Sequence, residues 1–398
     1  MARSLRTLKK PRPFLERNPS VLIFMAVLSI VTLVATILSE GFGVGIVSTS
    51  FIKILGKTLC LCLVALAMDL VWGYCGILSL GHFAFFGLGG YMIGMWLMFE
   101  RTKDIVLESL SGQPLPPTTE EIRDAIGTQI FGVVGGSDIP AIWHFADSFG
   151  AQIALVILIP GLFALAFGWL AFRSRVTGVY LSILTQAMTL ALALYLFLND
   201  SGLRGNNGLS GLQNIPGLDA VPQSIVSVSF LWGSAIALGL GYLLAAWIVS
   251  GKFGNIIEGI RDDEPRVRFL GYPVETYKLF VFTLTAVISG VAGALYYPQA
   301  GIINPAELAP IASIYLAVWV AIGGRGRLYG AVIGAAAVSL LSSAFTGGQV
   351  PDLPLGFATL QWVDWWTVFL GFGFVIITLY APQGLGGLID RLVRKDNR

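Results

Sequence analysis

The amino-acid sequence predicts an all-α polytopic membrane protein of about ten transmembrane helices, with both termini cytoplasmic. Three observations predict it. Apolar residues fill 55% of the 398 positions and charged residues only 12%, about half the roughly 25% charged share of water-soluble domains. The apolar residues gather into runs of roughly 20, the length a helix needs to cross a hydrocarbon core about 30 Å thick. The chain also carries 48 glycines, which let helices approach closely in lipid, where packing rather than water exclusion holds them together. A net charge of +2 gives no basis for a nucleic-acid partner.

The runs fall near residues 20–39, 54–72, 77–98, 151–172, 178–198, 226–250, 276–297, 309–323, 328–346 and 363–381. The first follows a basic stretch (Arg3, Arg6, Lys9, Lys10, Arg12, Arg17), is long for a signal-peptide core and lacks a small-residue cleavage site, so it reads as a helix that stays. An even number of crossings puts both termini on one side. Cytoplasmic loops of membrane proteins are enriched in Lys and Arg, and with the termini inside only Lys53, Lys57, Arg101, Lys103, Arg123 and Arg204 of the 25 basic residues fall outside. The chain then divides into a basic cytoplasmic segment 1–19, a transmembrane domain 20–381 and a cytoplasmic tail 382–398.

Three connections are long enough to be informative. The outer insertion 100–150 is proline-rich at Pro114, Pro116 and Pro117, then places Thr118 and Glu121 in capping-box spacing ahead of Ile122, Ile126 and Ile130. That pattern predicts a short amphipathic helix lying on the membrane face. Trp143, His144 and Phe145, just before the next run, suit an interfacial aromatic belt, with His144 at the surface rather than ligating anything. The outer loop 199–225 is rich in Gly, Asn and Ser and reads as compact irregular structure. The cytoplasmic loop 251–277, GKFGNIIEGIRDDEPRVRFLGYPVETY, is the most highly charged segment. Ile256, Ile257 and Ile260 share a helical face, and Pro265 is placed to open a second helix that stops at Gly271, so two short surface helices are expected.

Polar and glycine residues inside the apolar runs mark candidate function. Gly73, Gly76, Gly81, Gly87, Gly89 and Gly90 crowd around Ser79 and His82. Each glycine costs a helix interior about 0.8–1 kcal/mol relative to alanine, so a broken or re-entrant helix is expected near 73–90. Unwound backbone at membrane depth survives only where protein or an enclosed cavity surrounds it, and there it can bind polar solutes. Ser79 and His82 are therefore path candidates, with a histidine satisfied by a neighbouring helix as the competing reading for His82. Asp69 near the end of a run requires a partner or an aqueous face. Asn304 and Glu307 are further path candidates at an outer helix end, where docking of an external protein competes with simple capping. Cys60, Cys62 and Cys75 all sit in apolar stretches and read as small packing residues.

Several chemistries find no motif. Gly56-Lys57-Thr58 imitates the end of a phosphate-binding loop, but Phe51 stands where the leading glycine belongs. HExxH, CxxC and nucleophile-elbow motifs are missing, and two histidines do not make a multi-histidine metal site. The residues alone leave a driven permease, a secondary transporter and a facilitative channel open.

The stretch Glu258-Gly259-Ile260-Arg261-Asp262-Asp263-Glu264, followed by Leu270-Gly271-Tyr272, resembles the coupling-helix signature of permeases in branched-chain amino-acid type ABC importers. Residues 69–98 (DLVWGYCGILSLGHFAFFGLGGYMIGMWLM), 199–212 (NDSGLRGNNGLSGL) and 278–334 with its GALY, GIINPAEL and GGRGRLYGAVIGA segments resemble the same family in the same order, over nearly the whole chain. The tryptophan before GYCG, the GNNGLSG loop, the GIINP element and the long outer insertion are closer to the urea-importing branch; Pro265 and Arg266 depart from the alanine-rich continuation of the wider family. The resemblance implies a permease in the bacterial inner membrane that moves urea or a related small polar solute, or else branched-chain amino acids, by alternating access. It implies no cofactor on this chain, ATP and Mg used by two partner ATP-binding subunits, a second homologous permease subunit and an external solute-binding protein. It also implies that residues 258–264 couple this chain to the ATPases.

Overall fold

The computed structural model describes residues 18–40, 44–111, 118–136, 138–347, 350–351, 353–354, 359–380, 383–388 and 390. The basic stretch from Arg3 to Arg17, the insertion's Pro114, Pro116 and Pro117, and the tail beyond residue 390 lie outside these residues. In chain order the helices are α1 (Pro19–Leu38), α2 (Thr49–Asp69), α3 (His82–Leu110), α4 (Thr119–Phe131), α5 (Phe149–Arg173), α6 (Val179–Phe197), α7 (Gln223–Ser250), α8 (Lys252–Asp262), α9 (Glu264–Phe269), α10 (Val274–Ala300), α11 (Pro310–Gly323), α12 (Leu328–Thr346) and α13 (Trp362–Tyr380). Two short ribbons complete them: β1 (Leu209–Ser210) pairs antiparallel with β2 (Ile302–Ile303), and β3 (Leu353–Pro354) with β4 (Thr359–Leu360).

Each of the ten expected runs falls on a helix, and the protein is an all-α multi-pass membrane protein. Among the described residues eight helices are long and apolar enough to cross a membrane, with α11 and the 362–377 part of α13 shorter. The 14 residues of α11 rise only about 21 Å at 1.5 Å per residue. The link from α10 supplies the rest. It turns at Gly301, pairs Ile302 and Ile303 with β1, and then descends along α3: Ile303 lies against Gly90 and Gly94, whereas Leu308 lies against Gly87. A 3₁₀ turn (Pro305–Leu308) thus sits well below the ribbon before α11 begins. Gly208, next to the ribbon, takes a φ of 60° and has its neighbour Ile303 so close that no side chain fits.

α2 is the central helix, packed by α7, α10, α11 and α12, and α10 also crosses α3 and α5. The α3–α10 crossing is made by glycine. Gly89 faces the backbone of Gly290, and Gly293 faces the backbone of Phe86, so the helices meet main chain to main chain. Gly90 leaves room for the Tyr297 ring. The expected break near 73–90 is therefore narrower than glycine density suggested. It ends at Gly81, and Gly87, Gly89 and Gly90 sit inside a continuous helix where small size, not flexibility, is required.

The insertion also differs from expectation. The Thr118–Glu121 capping box forms, with the Thr118 N–H donating to Glu121 Oε2 at 2.8 Å and the Glu121 N–H to Thr118 Oγ1 at 3.3 Å. The Thr118 amide holds the exposed Glu121 carboxyl below its usual range. The apolar face of α4, however, is covered by protein rather than lipid, with Ile126 and Ile130 buried against the body of the molecule. Trp143 is buried too. It meets Phe131 edge-on at 5.5 Å and donates from Nε1 to Gly202 O at 2.7 Å, so it joins the insertion to the 199–225 loop. His144 and Phe145 are exposed, as expected.

Candidate functional site

The helical run that begins at α2 does not end at Asp69; it widens into a π-helical turn (Leu70–Tyr74), and the chain is then non-helical until α3 starts at His82. A π-turn changes the hydrogen-bond spacing, and the residues after it have no helical partners at all. At membrane depth those groups must be satisfied by something else, since each one left bare costs several kcal/mol. The chain satisfies them from four other elements.

At the lower end, Arg261 of α8 donates from Nη1 to Gly73 O at 2.8 Å. Arg325, in the α11–α12 link, donates to Trp72 O at 3.1 and 3.3 Å and lies over the Trp72 ring at 4.9 Å from its centroid. Partial burial draws the Arg325 guanidinium below its ordinary range, and the neighbouring Arg261 charge adds to this. Asp69 is fully buried, and its Oδ1 accepts from Gly326 N at 2.7 Å. This partners one of the two oxygens of the intramembrane carboxylate; Oδ2 has no hydrogen-bond partner among the described residues. Gly76 has a φ of 78°, and any Cβ added there would lie 3.0 Å from Arg261 Cα, so this glycine is what allows α8 to seat against the break.

Higher up, α6 offers a polar stripe. Ser182 donates to Leu78 O at 2.7 Å, and Thr185 Oγ1 accepts from Leu80 N at 3.0 Å. At the start of α3, Phe83 N donates to Ser313 Oγ of α11 at 3.2 Å, and His82 Nε2 lies 3.3 Å from Thr285 Oγ1 of α10. His82 is thus held by a neighbouring helix through one nitrogen. Its Nδ1 and the hydroxyl of Ser79 are buried without a hydrogen-bond partner among the described residues. Both path candidates sit together in the break, with the His82 ring facing the Ser79 backbone and the Ser79 hydroxyl left to spare. Below them a cavity of about 390 Å³ is lined by Cys75, Gly76, Leu78, Ser182, Arg261 and Lys278.

The 251–277 loop forms the two expected short helices. Ile257 and Ile260 are buried, Asp263 accepts from Arg266 N at 3.1 Å to cap α9, and Pro265 occupies its first turn. Of the candidate coupling residues, Ile260 faces the protein and Arg261 reaches the break. Glu264 binds Arg268 at 2.9 Å and Lys278 at 2.5 Å, while Arg268 also binds Glu275 at 2.5 Å. These four charges weld α9 to the start of α10, and Glu275 with Glu264 holds the Arg268 guanidinium above its ordinary range. Glu258 and Gly259 are half-buried, and Asp262 and Asp263 are exposed. The most exposed apolar side chains of the loop lie further on: Phe269 is 93% exposed and Leu270 68%, with Tyr272 beside them.

At the opposite end of α10, Asn304 is a cap, its Oδ1 accepting from Ala306 N at 3.0 Å. Glu307, on the descending link, is half-buried near Lys57, Tyr91 and Tyr297. Lys57 therefore belongs inside the α2 crossing, not in the outer segment where charge counting put it. The three cysteines are buried and free; Cys60 lies 3.2 Å from Ser234 Oγ, and Cys62 donates to Val332 O at 3.4 Å. Sequence reasoning missed Trp72, Arg325 and Gly326, whose pairings join positions more than 250 apart. It also missed Ser182 and Thr185, which their spacing of three with Thr189 a turn on, in an apolar helix, could have marked as one polar face.

The family model for the permease component of branched-chain amino acid transport systems matches residues 50–378. The chain belongs to that family. Membership places it among transport permeases rather than enzymes. Similar proteins include the high-affinity branched-chain amino acid transport system permease protein LivM of Escherichia coli (strain K12), 25% identical over 279 residues that cover 64% of this chain and 61% of LivM. The Salmonella typhimurium LivM is 25% identical over 53% of this chain and 51% of its own length. The autoinducer 2 import system permease protein LsrC of Yersinia pseudotuberculosis serotype O:3 (strain YPIII) is 27% identical over 38% of this chain and 42% of its own. The chain thus spans less than two thirds of the length of these relatives. No solved structure matches it.

Proposed function

We propose that this permease imports urea, or a closely related small polar solute, across the bacterial inner membrane, driven by ATP hydrolysed on separate subunits. In this reading both termini and the 251–277 loop face the cytoplasm. Two ATP-binding subunits, using ATP and Mg, dock on the exposed Phe269–Leu270–Tyr272 edge and the acidic turn beside it, a second homologous permease completes the path, and an external binding protein delivers solute at the ribbon end.

One observation carries the proposal: the bond from Arg261 to Gly73 O. A hydrogen bond from a charged donor is worth roughly 1.5–3 kcal/mol net, enough to shift a two-state equilibrium by about tenfold or more. It ties the loop that would meet a motor directly to the one place where the central helix is unwound. The Glu264–Arg268–Glu275–Lys278 network ties the same loop to α10, whose glycine crossing with α3 moves the other edge of the break. A motor that shifts α8 and α9 therefore pulls on both sides of Ser79 and His82 at once. Alternating access needs such a differential contact between loop and path.

Urea is small, planar and neutral, with four N–H donors and a carbonyl acceptor. The spare Ser79 hydroxyl and the His82 ring, together with unwound backbone, match it. The names of the LivM relatives favour branched-chain amino acids as the second reading. Uptake of labelled urea by the complete transporter, competed with acetamide and leucine, separates the two. Urea uptake abolished by vanadate and untouched by leucine is the expected result; leucine uptake that urea does not compete replaces the solute but keeps the motor, and vanadate-insensitive uptake removes the motor.

A further inference from the structure

We propose that Lys57, Tyr91, Tyr297 and Glu307 form a second solute station, in the half of the membrane nearer the β1–β2 ribbon, that recognises planar amides; the proposal rests on the transport reading above. Lys57 lies eight residues past the start of α2, about 12 Å along the helix at 1.5 Å per residue and inside its apolar run. An ammonium at that depth is costly unless it serves a path or has a partner. Glu307 is the acid within its electrostatic reach, brought down by the 305–308 turn, yet among the described residues the two close no direct ion pair. Between the helices stand two tyrosines. Tyr91 and Tyr297 are fully buried; the Tyr297 hydroxyl meets the Glu307 carboxyl, and the Tyr91 hydroxyl, within reach of the same charge, has no hydrogen-bond partner among the described residues.

Four polar groups from three helices and a re-entrant turn therefore converge, and only Tyr297 and Glu307 touch, leaving Lys57 and the Tyr91 hydroxyl unpaired among the described residues. A buried polar group left bare costs about 1–3 kcal/mol, and nothing in the packing demands this expense: phenylalanine would fill either tyrosine site, and neither charge braces a helix end. The chemistry of the set is that of an amide receptor. A carboxylate accepts two parallel N–H bonds from a planar diamide as it does from a guanidinium, an ammonium donates to the carbonyl, and phenol hydroxyls serve either role. Tyr91 is nine residues beyond His82 on α3, so the station stands about 13 Å from the break along the same helix, one step earlier on an inward route.

The test uses the complete reconstituted transporter, with uptake normalised to inserted complex and measured for urea and for acetamide, which offers only one amide nitrogen. Glu307→Gln and Lys57→Met are each expected to raise the half-saturating urea concentration tenfold or more. Glu307→Gln should also shrink the preference for urea over acetamide, because the paired N–H bonds are lost. Tyr297→Phe, which keeps the ring against Gly90, should give a smaller rise in the same direction and serves if a charge variant fails to insert. Unchanged half-saturation, or an equal loss for both solutes through maximal rate alone, overturns the station while leaving the transport reading intact. A wild-type transporter that takes up no urea overturns both.

Discussion

Two glycine-rich stretches lie within twenty residues of one another and behave in opposite ways. Between Gly73 and Gly81 the helix unwinds; between Gly87 and Gly94 it does not. The difference lies in what surrounds each. Around the first stretch stand hydroxyls, arginines and a carboxylate that can take over the backbone's hydrogen bonds: Arg261, Arg325, Asp69, Ser182 and Thr185. Around the second stand main chain, a ring and aliphatic side chains: the Gly290 backbone at Gly89, Tyr297 at Gly90, and Leu308, Ile303 and Leu209 along Gly87, Gly90 and Gly94. Lipid-buried backbone that finds no outside partner must stay helical, and there glycine's value is its missing side chain. Glycine content permits a break, but polar neighbours decide it.

The helical stretch should suffer most when a side chain is forced into it. Gly89→Leu has the Gly290 backbone where its Cβ must go, and overpacking a tight contact costs about 1–3 kcal/mol or more. Loss of most folded protein from the membrane, read by detergent-solubilised yield and thermal unfolding, is expected, whereas Gly371→Leu, with open space around its Cβ position, should fold normally. A smaller loss is expected of Asp69→Ala, which strips Gly326 N of its acceptor and should lower stability by about 1.5–3 kcal/mol, read as a fall in unfolding temperature. Thr185→Val orphans Leu80 N at about 1–3 kcal/mol, and Thr185→Ser should restore most of the loss; equal behaviour of the valine and serine variants would deny α6 its role in holding the break. Smallest for stability is Phe269→Ala, at an exposed position where changes usually stay within about 0.5 kcal/mol. Its expected effect is on affinity for the ATPase subunits, measured by co-purification at graded salt.

The same contrast explains what could be read from the sequence. Apolar runs located the eight helices of spanning length among the described residues because each helix must supply its own backbone bonds in lipid, a local requirement. Capping was legible for the same reason, and Thr118, Glu121, Pro265 and Gly271 do what their spacing implied. The break was half legible: glycine density pointed to the region, but its limits depend on Arg325, Ser182 and Thr185, which come from links and helices remote in the chain. The depth of Glu307 was hidden because nothing local shows that 301–309 turns back along α3 and replaces the first turns of α11. Trp143 failed for a related reason: an aromatic before a helix suits the membrane interface, but Gly202 O offered its indole N–H a buried partner.

Coupling of the charged loop to the unwound turn rests on one bond, from Arg261 to Gly73 O. Uptake per ATP hydrolysed, measured in the complete transporter for Arg261→Gln beside wild type at equal amounts of inserted complex, tests it most directly. A fall of tenfold or more, with hydrolysis continuing, is the predicted result, because the motor would then move a loop that no longer holds Gly73. An unchanged ratio would contradict it, since the break would be answering to some other part of the molecule.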